Sequence, residues 1–360
     1  RSGVLAFDGM ALLDGLFYDR FSGNLVGLED MGDLVTYTTE SLRTTPHKDD
    51  GGPRIAKECV QFIVTTMDGK HQIPFAYFLC QKAQSGLIAS MVTEAIESLR
   101  AIQIDVVLIV CDGASEHRTW MQHLLTLPDP SSGLGRKDDT FPVCFQNPCY
   151  LDPAKLIFII SDPVHLIKKL ATNLFSSGTM QAHTKDLKLN GQHMRWEQLY
   201  QSWSLDRRAA GSFLIAEKVT REHIERNGYS KLKVKMSAQI LSGSMARCLD
   251  TYGGGCENHT VGGGCAECGE TAKYLRRFNH YLDVMNSGKR RHIWDGNRAH
   301  LSSPIMDTTD ERLQFLVETA EWADAWQQQA CQQKPSSCDA TATERRTCPA
   351  DLRQHTRAEF

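Results

Sequence analysis

The sequence predicts an α/β protein whose first half forms a mixed β-sheet and whose second half is a helical module. The first 180 residues alternate strand-like apolar runs with helical periodicity, whereas residues from about 190 to 290 show helical periodicity throughout. Charge follows the same division. Residues 1–180 carry 15 basic and 21 acidic side chains, and residues 181–300 carry 19 and 12. A basic second module suits a polyanionic partner, although an ordinary solvated surface shows the same excess.

The composition argues against two classes of protein: membrane-spanning proteins and proteins held together by a disulfide framework. With 41% hydrophobic and 23% charged residues, the chain has the mix of a globular protein and lacks the apolar run of about 18 residues that a membrane helix needs. Its 12 cysteines are scattered, and Cys59, Cys80 and Cys111 lie inside apolar runs, which predicts free thiols and a reducing compartment. Because the chain begins at Arg1, almost inside a strand, we expect a fragment or an incomplete gene model.

Three long strands are expected before the first long helix. Val4–Asp8 is an apolar strand, and Gly15–Asp30 has the pattern of a short hairpin. The runs ECVQFIVTTM and HQIPFAYFLCQ flank the dipeptide Asp68-Gly69, a turn signal that predicts an antiparallel pair.

Helices and buried strands then alternate. SGLIASMVTEAIESLRAI has helical spacing with Ser85 as its N-cap, and IDVVLIVCDG is a strand buried on both faces. A helix over Glu116–Leu127 and a loop to about Pro153 lead to KLIFIISDPVHLIKKLATNLF, a strand that enters a helix. Three antiparallel strands followed by helix, strand, helix, strand, helix is the layout of the RNase H-like fold.

The remaining chain divides into three segments. WEQLYQSWSLD, FLIAEKVTREHIERN, KVKMSAQILSGSMARCLDTY and AKYLRRFNHYLDVMN predict helices. Beyond them, DERLQFLVETAEWADAW is helical and the rest is polar, which predicts a disordered tail or the product of a wrong reading frame or exon. The predicted domains are a core over 1–180, a helical insertion over 181–295, a helix over 296–327 that starts a return to the core, and a tail over 328–360.

Two aspartates are candidate metal ligands. Asp8 lies within an apolar strand, where an ionised carboxylate in a dry interior needs a partner, a cap role or a metal. Asp112 ends the VVLIVC strand, which neighbours the first strand in an RNase H-like sheet. Two converging carboxylates repel unless a divalent cation lies between them, and Mg²⁺ prefers such oxygen ligands. The alternative for Asp112 is a turn residue or N-cap before Gly113.

Several motifs together resemble the P-element transposases, including their THAP-domain relatives. FDGMALLDGLFYDRFSGNLVGLEDMGD, VCDGASEHRTW and SDPVHLIKKLATN resemble the catalytic core, and KLKVKMSAQILSGSMA and FNHYLDVMNS resemble the GTP-binding insertion domain. The resemblance runs from about Val4 to Ser287. It implies an RNase H-like core interrupted by an all-α GTP-binding insertion, and a nuclear protein that acts on DNA as a homo-oligomer.

The resemblance carries two of three catalytic positions onto this chain. It implies that Asp8 and Asp112 bind catalytic Mg²⁺, with Asp8-Gly9-Met10 in place of the family's Asp-Glu-Met. The third family ligand is a glutamate in a motif resembling Asp-His-Ile-Glu, and this sequence has no such motif. Glu318 and Glu321 lie on a later helix without that context. The family's zinc-coordinating THAP module is also missing from the sequence.

The resemblance also implies a set of GTP-binding residues. Through the spacing of KVKMSAQILS and NHYLD, and more loosely for the first, these are Lys218, Lys233, Val234, Ser242, Asn279, Leu282 and Asp283. A carboxylate accepts both the N1 and N2 protons of guanine, and lysines suit phosphates. Leu282 stands where an aromatic residue is expected beside the base. Without the resemblance, Asn279 and Asp283 would be interpreted as a solvent-facing pair four residues apart.

A glycine-rich loop carries a second metal motif whose interpretation stays open. Cys256, His259, Cys265 and Cys268 have donor types that bind zinc, but the pairs are closely spaced, and a flexible insertion with incidental thiols explains them as well.

Two functions are therefore expected. The first is a P-element-like DNA transposase, or a domesticated fragment of one, with Mg²⁺-dependent strand cleavage and transfer and GTP as a binding cofactor. The alternative is a catalytically inactive DNA- and GTP-binding regulator of transposition. A metabolic α/β enzyme has little support, because no glycine-rich phosphate motif follows a strand.

Overall fold

The structure, a computed structural model, divides into two compact units. The first runs from Arg1 to Asp162, and the second begins at Pro163. None of the helices that it describes combines the length and apolar character of a membrane span. The described residues are 1–13, 15–18, 20–21, 25–29, 54–126, 144–178, 185–209, 213–253, 268–286, 303, 305 and 307–332.

A six-stranded mixed sheet organises the first unit. The strands are β1 (Ser2–Ala11), β2 (Phe17–Tyr18), β3 (Leu25–Val26), β4 (Glu58–Thr66), β5 (Gln72–Cys80), β6 (Asp105–Cys111), β7 (Cys144–Gln146) and β8 (Leu156–Ser161). The helices are α1 (Ser85–Ala101) and α2 (Ser115–Thr126). The sheet order is β5-β4-β1-β6-β8-β7, with β1, β6 and β8 parallel and β4, β5 and β7 antiparallel to their neighbours. The predicted mixed sheet, with the first strand beside the strand before Asp112, is confirmed.

Alternation along the strands buries one face of this sheet. Leu5 and Phe7 of β1 and Ile109 of β6 belong to a core that α1 covers with residues spaced three and four apart. The two-residue strands β2 and β3 form the expected hairpin. The predicted N-cap needs a correction: Ser85 is the first helical residue, and Gln84 is the N-cap.

Strand β7 was not predicted, because its segment was interpreted as a loop. It has only three residues and follows a stretch rich in Pro, Ser and Gly, so it shows too little alternation to be recognised. It pairs antiparallel with β8 at the edge of the sheet.

The second unit is largely helical and has its own core. Its elements are α3 (Pro163–Phe175), β9 (Leu187–Leu189), β10 (Gln192–Met194), α4 (Trp196–Ala209), α5 (Arg221–Ile224), α6 (Gly228–Leu232), α7 (Val234–Ile240), α8 (Gly243–Tyr252), α9 (Gly269–Met285) and α10 (Glu311–Gln332). Helix α3 buries Leu166, Ile167 and Leu170 in this core. The units therefore divide before α3, earlier than the boundary near residue 180 that the sequence analysis drew.

The second unit is not entirely helical. Strands β9 and β10 form a hairpin whose turn residues Asn190 and Gly191 have φ of 51° and 77°. Asn-Gly is the preferred pair for such a turn, so the sequence carried a signal for this hairpin. Its apolar side chains Leu187, Leu189 and Met194 are buried in the core of the second unit.

Two predicted helices are broken in the structure. KVKMSAQILSGSMARCLDTY forms α7 and α8, because α7 ends at Ile240 and Ser242 caps a new helix. The Ser242 Oγ accepts the Met245 N–H at 3.2 Å, as an N-cap serine does. FLIAEKVTREHIERN forms a turn followed by the four-residue helix α5.

Helix α10 packs on the second unit through aromatic side chains. Trp322 lies 5.9 Å from Phe278 and Trp326 lies 5.8 Å from Tyr274, measured between ring centroids. The helix continues to Gln332, beyond the predicted end at residue 327. The predicted tail otherwise lies outside the described residues.

Asp206 provides a test of the second unit's packing. Its side chain is fully buried, and its two oxygens accept the N–H groups of Ile215 and Ala216 at 3.0 Å each. We expect Asp206→Ala to lower the free energy of unfolding by about 2 kcal/mol or more, because both amides lose their acceptor. Urea unfolding followed by tryptophan fluorescence measures this loss.

The matched control is Glu225→Ala, which removes an exposed carboxylate that pairs with Arg221 in the same unit. We expect it to cost less than about 0.5 kcal/mol. Equal losses from both variants would contradict the role assigned to Asp206.

Candidate metal and nucleotide sites

One predicted metal ligand lies on β1 and the other directly follows β6, its parallel neighbour. The paired residues end at Ala6 opposite Val110, and extending the same offset by two residues puts Asp8 at the level of Asp112. Neighbouring strands are about 4.8 Å apart, so carboxylates at equivalent positions are within reach of one cation. The parallel register therefore brings together the residues that the sequence analysis paired.

Asp8 and Asp112 also lie on the same face of the sheet. Phe7 and Cys111, one residue earlier, point into the core with 4% and 1% exposure. Alternation turns the two aspartates to the opposite face, where Asp8 is exposed and Asp112 is partly exposed. The expectation that Asp8 sits in a dry interior is therefore wrong. The apolar run around it was misleading because only alternate residues of β1 enter the core.

The Asp112 carboxylate is held by its own turn and by helix α2. Its Oδ1 accepts the Ala114 N–H at 2.8 Å and lies 2.7 Å from Nδ1 of His117. Gly113, between them, has a φ of 62°, which favours glycine at this turn. Asp112 is thus both the predicted turn residue and a well-placed oxygen donor.

Asp162 is a third aspartate near this level, and the sequence did not single it out as a ligand. Cys111 lies opposite Ser161 in the β6–β8 pair, so Asp112 and Asp162 each directly follow the last paired residue of their strand. The Asp162 N–H donates to the Cys111 carbonyl at 2.7 Å, which continues the parallel ladder. The sequence signal for Asp162 is that, like Asp112, it directly follows a buried apolar strand.

The chemistry of these side chains fits Mg²⁺. Two carboxylates supply hard oxygen ligands, and Mg²⁺ typically combines one or two protein carboxylates with water and substrate phosphate. No group of three or more His, Cys, Asp or Glu side chains gathers as a metal cluster within the residues that the structure describes.

The side chain of Glu58 lies beside Gly9. A Cβ added to Gly9 would meet Oε1 of Glu58, whose Oε2 accepts the Ala83 N–H at 2.9 Å. Glu58 therefore occupies the space that a side chain at position 9 would enter. The change from the family's Asp-Glu-Met leaves the backbone of Asp8 in regular register with β4.

Two of the predicted nucleotide-binding residues, Asn279 and Asp283, are hydrogen-bonded to each other beside the start of helix α8 in the second unit. Asn279 Oδ1 accepts the Gly243 N–H at 3.1 Å, and its Nδ2 donates to Asp283 Oδ2 at 3.0 Å. Ser242, the N-cap of α8, lies next to Gly243. The pair four residues apart on α9 is thus directed at the start of α8 and is not a free solvent-facing stripe.

The other four predicted nucleotide-binding residues lie at the start of α7, on α9 and in the turn before α5. Lys233 is the N-cap of α7 and Val234 its first residue, and α7 packs against α9. The Lys233 Nζ lies 3.7 Å from Glu222. Leu282 is partly buried against the core of the unit. Lys218 is exposed in the turn before α5, and none of the contacts of the described residues joins it to the Asn279 group.

One residue of the predicted zinc motif is described. Cys268 is a buried free thiol whose Sγ donates to the Gly253 carbonyl at 3.0 Å. Cys256, His259 and Cys265 lie outside the described residues, so the zinc prediction stays a prediction. The seven cysteines whose side chains the structure describes form no disulfide, and the predicted reducing compartment stays a prediction.

Two family models match the chain, one on each unit. Residues 1–125 match the TNP-like, RNase H N-terminal domain, and residues 164–294 match the TNP-like, GTP-binding insertion domain. The second match begins beside Pro163, where the second unit starts.

A curated relative and a solved structure agree with these matches. The transposable element P transposase of Drosophila melanogaster is 29% identical over 135 residues, which are 36% of this chain and 15% of that protein. The Drosophila P element transposase strand transfer complex matches with a TM-score of 0.63 and 16% identity, over 99% of this chain and 64% of that one. This chain thus spans less than two thirds of either relative. The two family models, the relative and the shared fold place the chain in the P-element transposase family, with an RNase H-like core and a GTP-binding insertion domain.

Proposed function

We propose that this chain acts as a DNA transposase of the P-element type, or as a domesticated fragment of one. The observation that carries the proposal is the level placement of Asp8 and Asp112 on one face of the sheet. The substrates would be transposon ends and target DNA. The protein would act in the nucleus as a homo-oligomer.

The residues of the first unit would hold the cation and orient the DNA backbone. Asp8 and Asp112 would bind Mg²⁺ from two neighbouring strands and leave the remaining positions to water and a phosphodiester. Bound Mg²⁺ supplies activation of a water or a 3′-hydroxyl and stabilisation of the leaving oxygen. Asp112 is fixed by Ala114 and His117, whereas Asp8 faces solvent and has freedom to adjust to substrate.

The second unit would bind GTP as a cofactor that helps position DNA. Asp283 would accept the N1 and N2 protons of guanine, a pattern that adenine lacks. Asn279 orients that carboxylate and fixes the start of α8 through Gly243. Lys218 and Lys233 would contact the phosphates, and Ser242 and Val234 would line the site. Leu282 would offer an apolar contact without the stacking of an aromatic ring.

The alternative function is a catalytically inactive regulator that binds DNA, GTP or intact transposase subunits. It is favoured by the count of acidic ligands, since the described residues contain no three-ligand cluster and the sequence lacks the family's third-ligand motif. Mg²⁺-dependent nicking distinguishes the two functions. GTP binding without nicking would support the regulator.

We expect the chain to nick DNA that carries transposon ends when Mg²⁺ is present, and Asp8→Asn or Asp112→Asn to reduce the rate at least about 100-fold. The physical reason is that each substitution removes one charged oxygen ligand from a metal site that would stabilise the transition state by several kcal/mol. A gel assay of nicked product over time measures the rates.

Asp68→Asn is the matched control for this assay. The hydroxyl of Thr66 and the amide of Lys70 hold the pKa of Asp68 at about 2, so the control removes an ionised carboxylate. It lies in the β4–β5 turn, at the end of the sheet away from Asp8. Equal rates for Asp8→Asn, Asp112→Asn and the wild type would contradict the assigned site.

We expect Asp283→Ala to weaken GTP binding at least about tenfold and to leave ATP binding unchanged, because guanine loses a charge-assisted double hydrogen bond. Isothermal titration with each nucleotide measures both affinities. Asp250→Ala is the control, since it removes an exposed carboxylate that pairs with Arg276 in the same unit. Unchanged GTP affinity in Asp283→Ala would show that the base contact is misassigned.

A further inference from the structure

We infer that His117 is a positioning residue that fixes the Asp112 carboxylate for cation binding. The inference rests on the proposed function, because it assigns a supporting role beside the proposed metal ligands. His117 was not among the residues that the sequence singled out. It lies in the first turn of α2, five residues after Asp112.

Two contacts meet at one oxygen of Asp112. Oδ1 accepts the Ala114 N–H at 2.8 Å from within the turn, and His117 Nδ1 approaches the same atom to 2.7 Å from the helix. The first contact ties the carboxylate to its own backbone, and the second ties it to a separate element. Together they restrict rotation of a side chain that is still 23% exposed.

The imidazole of His117 is enclosed by the protein. Its side chain is only 6% exposed, and its Nδ1 lies 2.7 Å from Asp112 Oδ1, a close polar contact without the alignment of a hydrogen bond. Burial of an imidazole nitrogen is costly unless a polar group faces it. The Asp112 carboxylate is the polar group that faces Nδ1 of His117.

The same ring also reaches the strand that carries Asp8. The rings of His117 and Phe7 meet edge to face with centroids 4.9 Å apart, and Phe7 directly precedes Asp8 on β1. Trp120, one turn further along α2, meets the same Phe7 ring edge to face with centroids 5.9 Å apart. His117 thus contacts both Phe7, which precedes Asp8 on β1, and Asp112, which follows β6.

Packing and polar contact are separable by substitution. Phenylalanine keeps an aromatic ring against Phe7 but has no nitrogen to meet Asp112. Asparagine removes most of the ring yet can place its amide nitrogen where Nδ1 lies, because both atoms are bonded to Cγ. If His117 positions Asp112, His117→Asn keeps the metal affinity that His117→Phe loses. If packing of the ring is what matters, His117→Phe keeps the affinity and His117→Asn loses it.

The test measures Mn²⁺ binding to the full chain by electron paramagnetic resonance, with Mn²⁺ as the probe for Mg²⁺. We expect His117→Phe to weaken binding about tenfold or more, the usual loss when a residue that orients a metal ligand is removed, and His117→Asn to stay within about threefold of wild type. In an Asp112→Asn background, His117→Phe should bring no further loss. Thermal unfolding of each variant reports on packing separately.

Two results would overturn the inference. One is binding by His117→Phe within threefold of wild type, and the other is weaker binding by His117→Asn than by His117→Phe in step with lower thermal stability. Failure of the proposed function has a different signature. In that case wild-type Mn²⁺ binding is absent or is unaffected by Asp8→Asn and Asp112→Asn.

Discussion

The parallel pairing of β1 with β6 is the contact on which the proposed chemistry of the first unit depends. It sets Asp8 level with Asp112, and the burial of Phe7 and Cys111 fixes which face the aspartates occupy. A slip of one residue would turn every β1 side chain to the other face and move Asp8 into the core. The burial of the apolar residues of β1 and β6 therefore determines where the two carboxylates lie.

The second unit depends in the same way on one backbone break. Had α7 and α8 been continuous, the Gly243 N–H would bond within the helix and would not be available to Asn279. The break at Ser242 frees that amide, and Asn279 accepts it while donating to Asp283. A local capping serine thus organises the group of residues to which guanine recognition is assigned.

Sequence reasoning was most successful where periodicity is long and strong. The mixed sheet and the neighbouring positions of β1 and β6 followed from element order, since β4, β5, β6 and α1 each span seven or more residues. It failed for β7 and for the β9–β10 hairpin, whose strands of three residues carry too little pattern. It also missed His117, because a buried histidine reveals its role only through the tertiary contact with Asp112.

The charges of the first site do not depend on a cation for folding. Asp8 faces water, and the Asp112 carboxylate accepts the Ala114 N–H beside the His117 ring. A zinc finger differs, because there metal binding supplies the folding energy. Loss of one acidic ligand in a chain of this family would therefore abolish cleavage and leave the sheet intact. The two proposed functions, transposase and regulator, would then share one fold and differ in the acidic ligands beside β1 and β6.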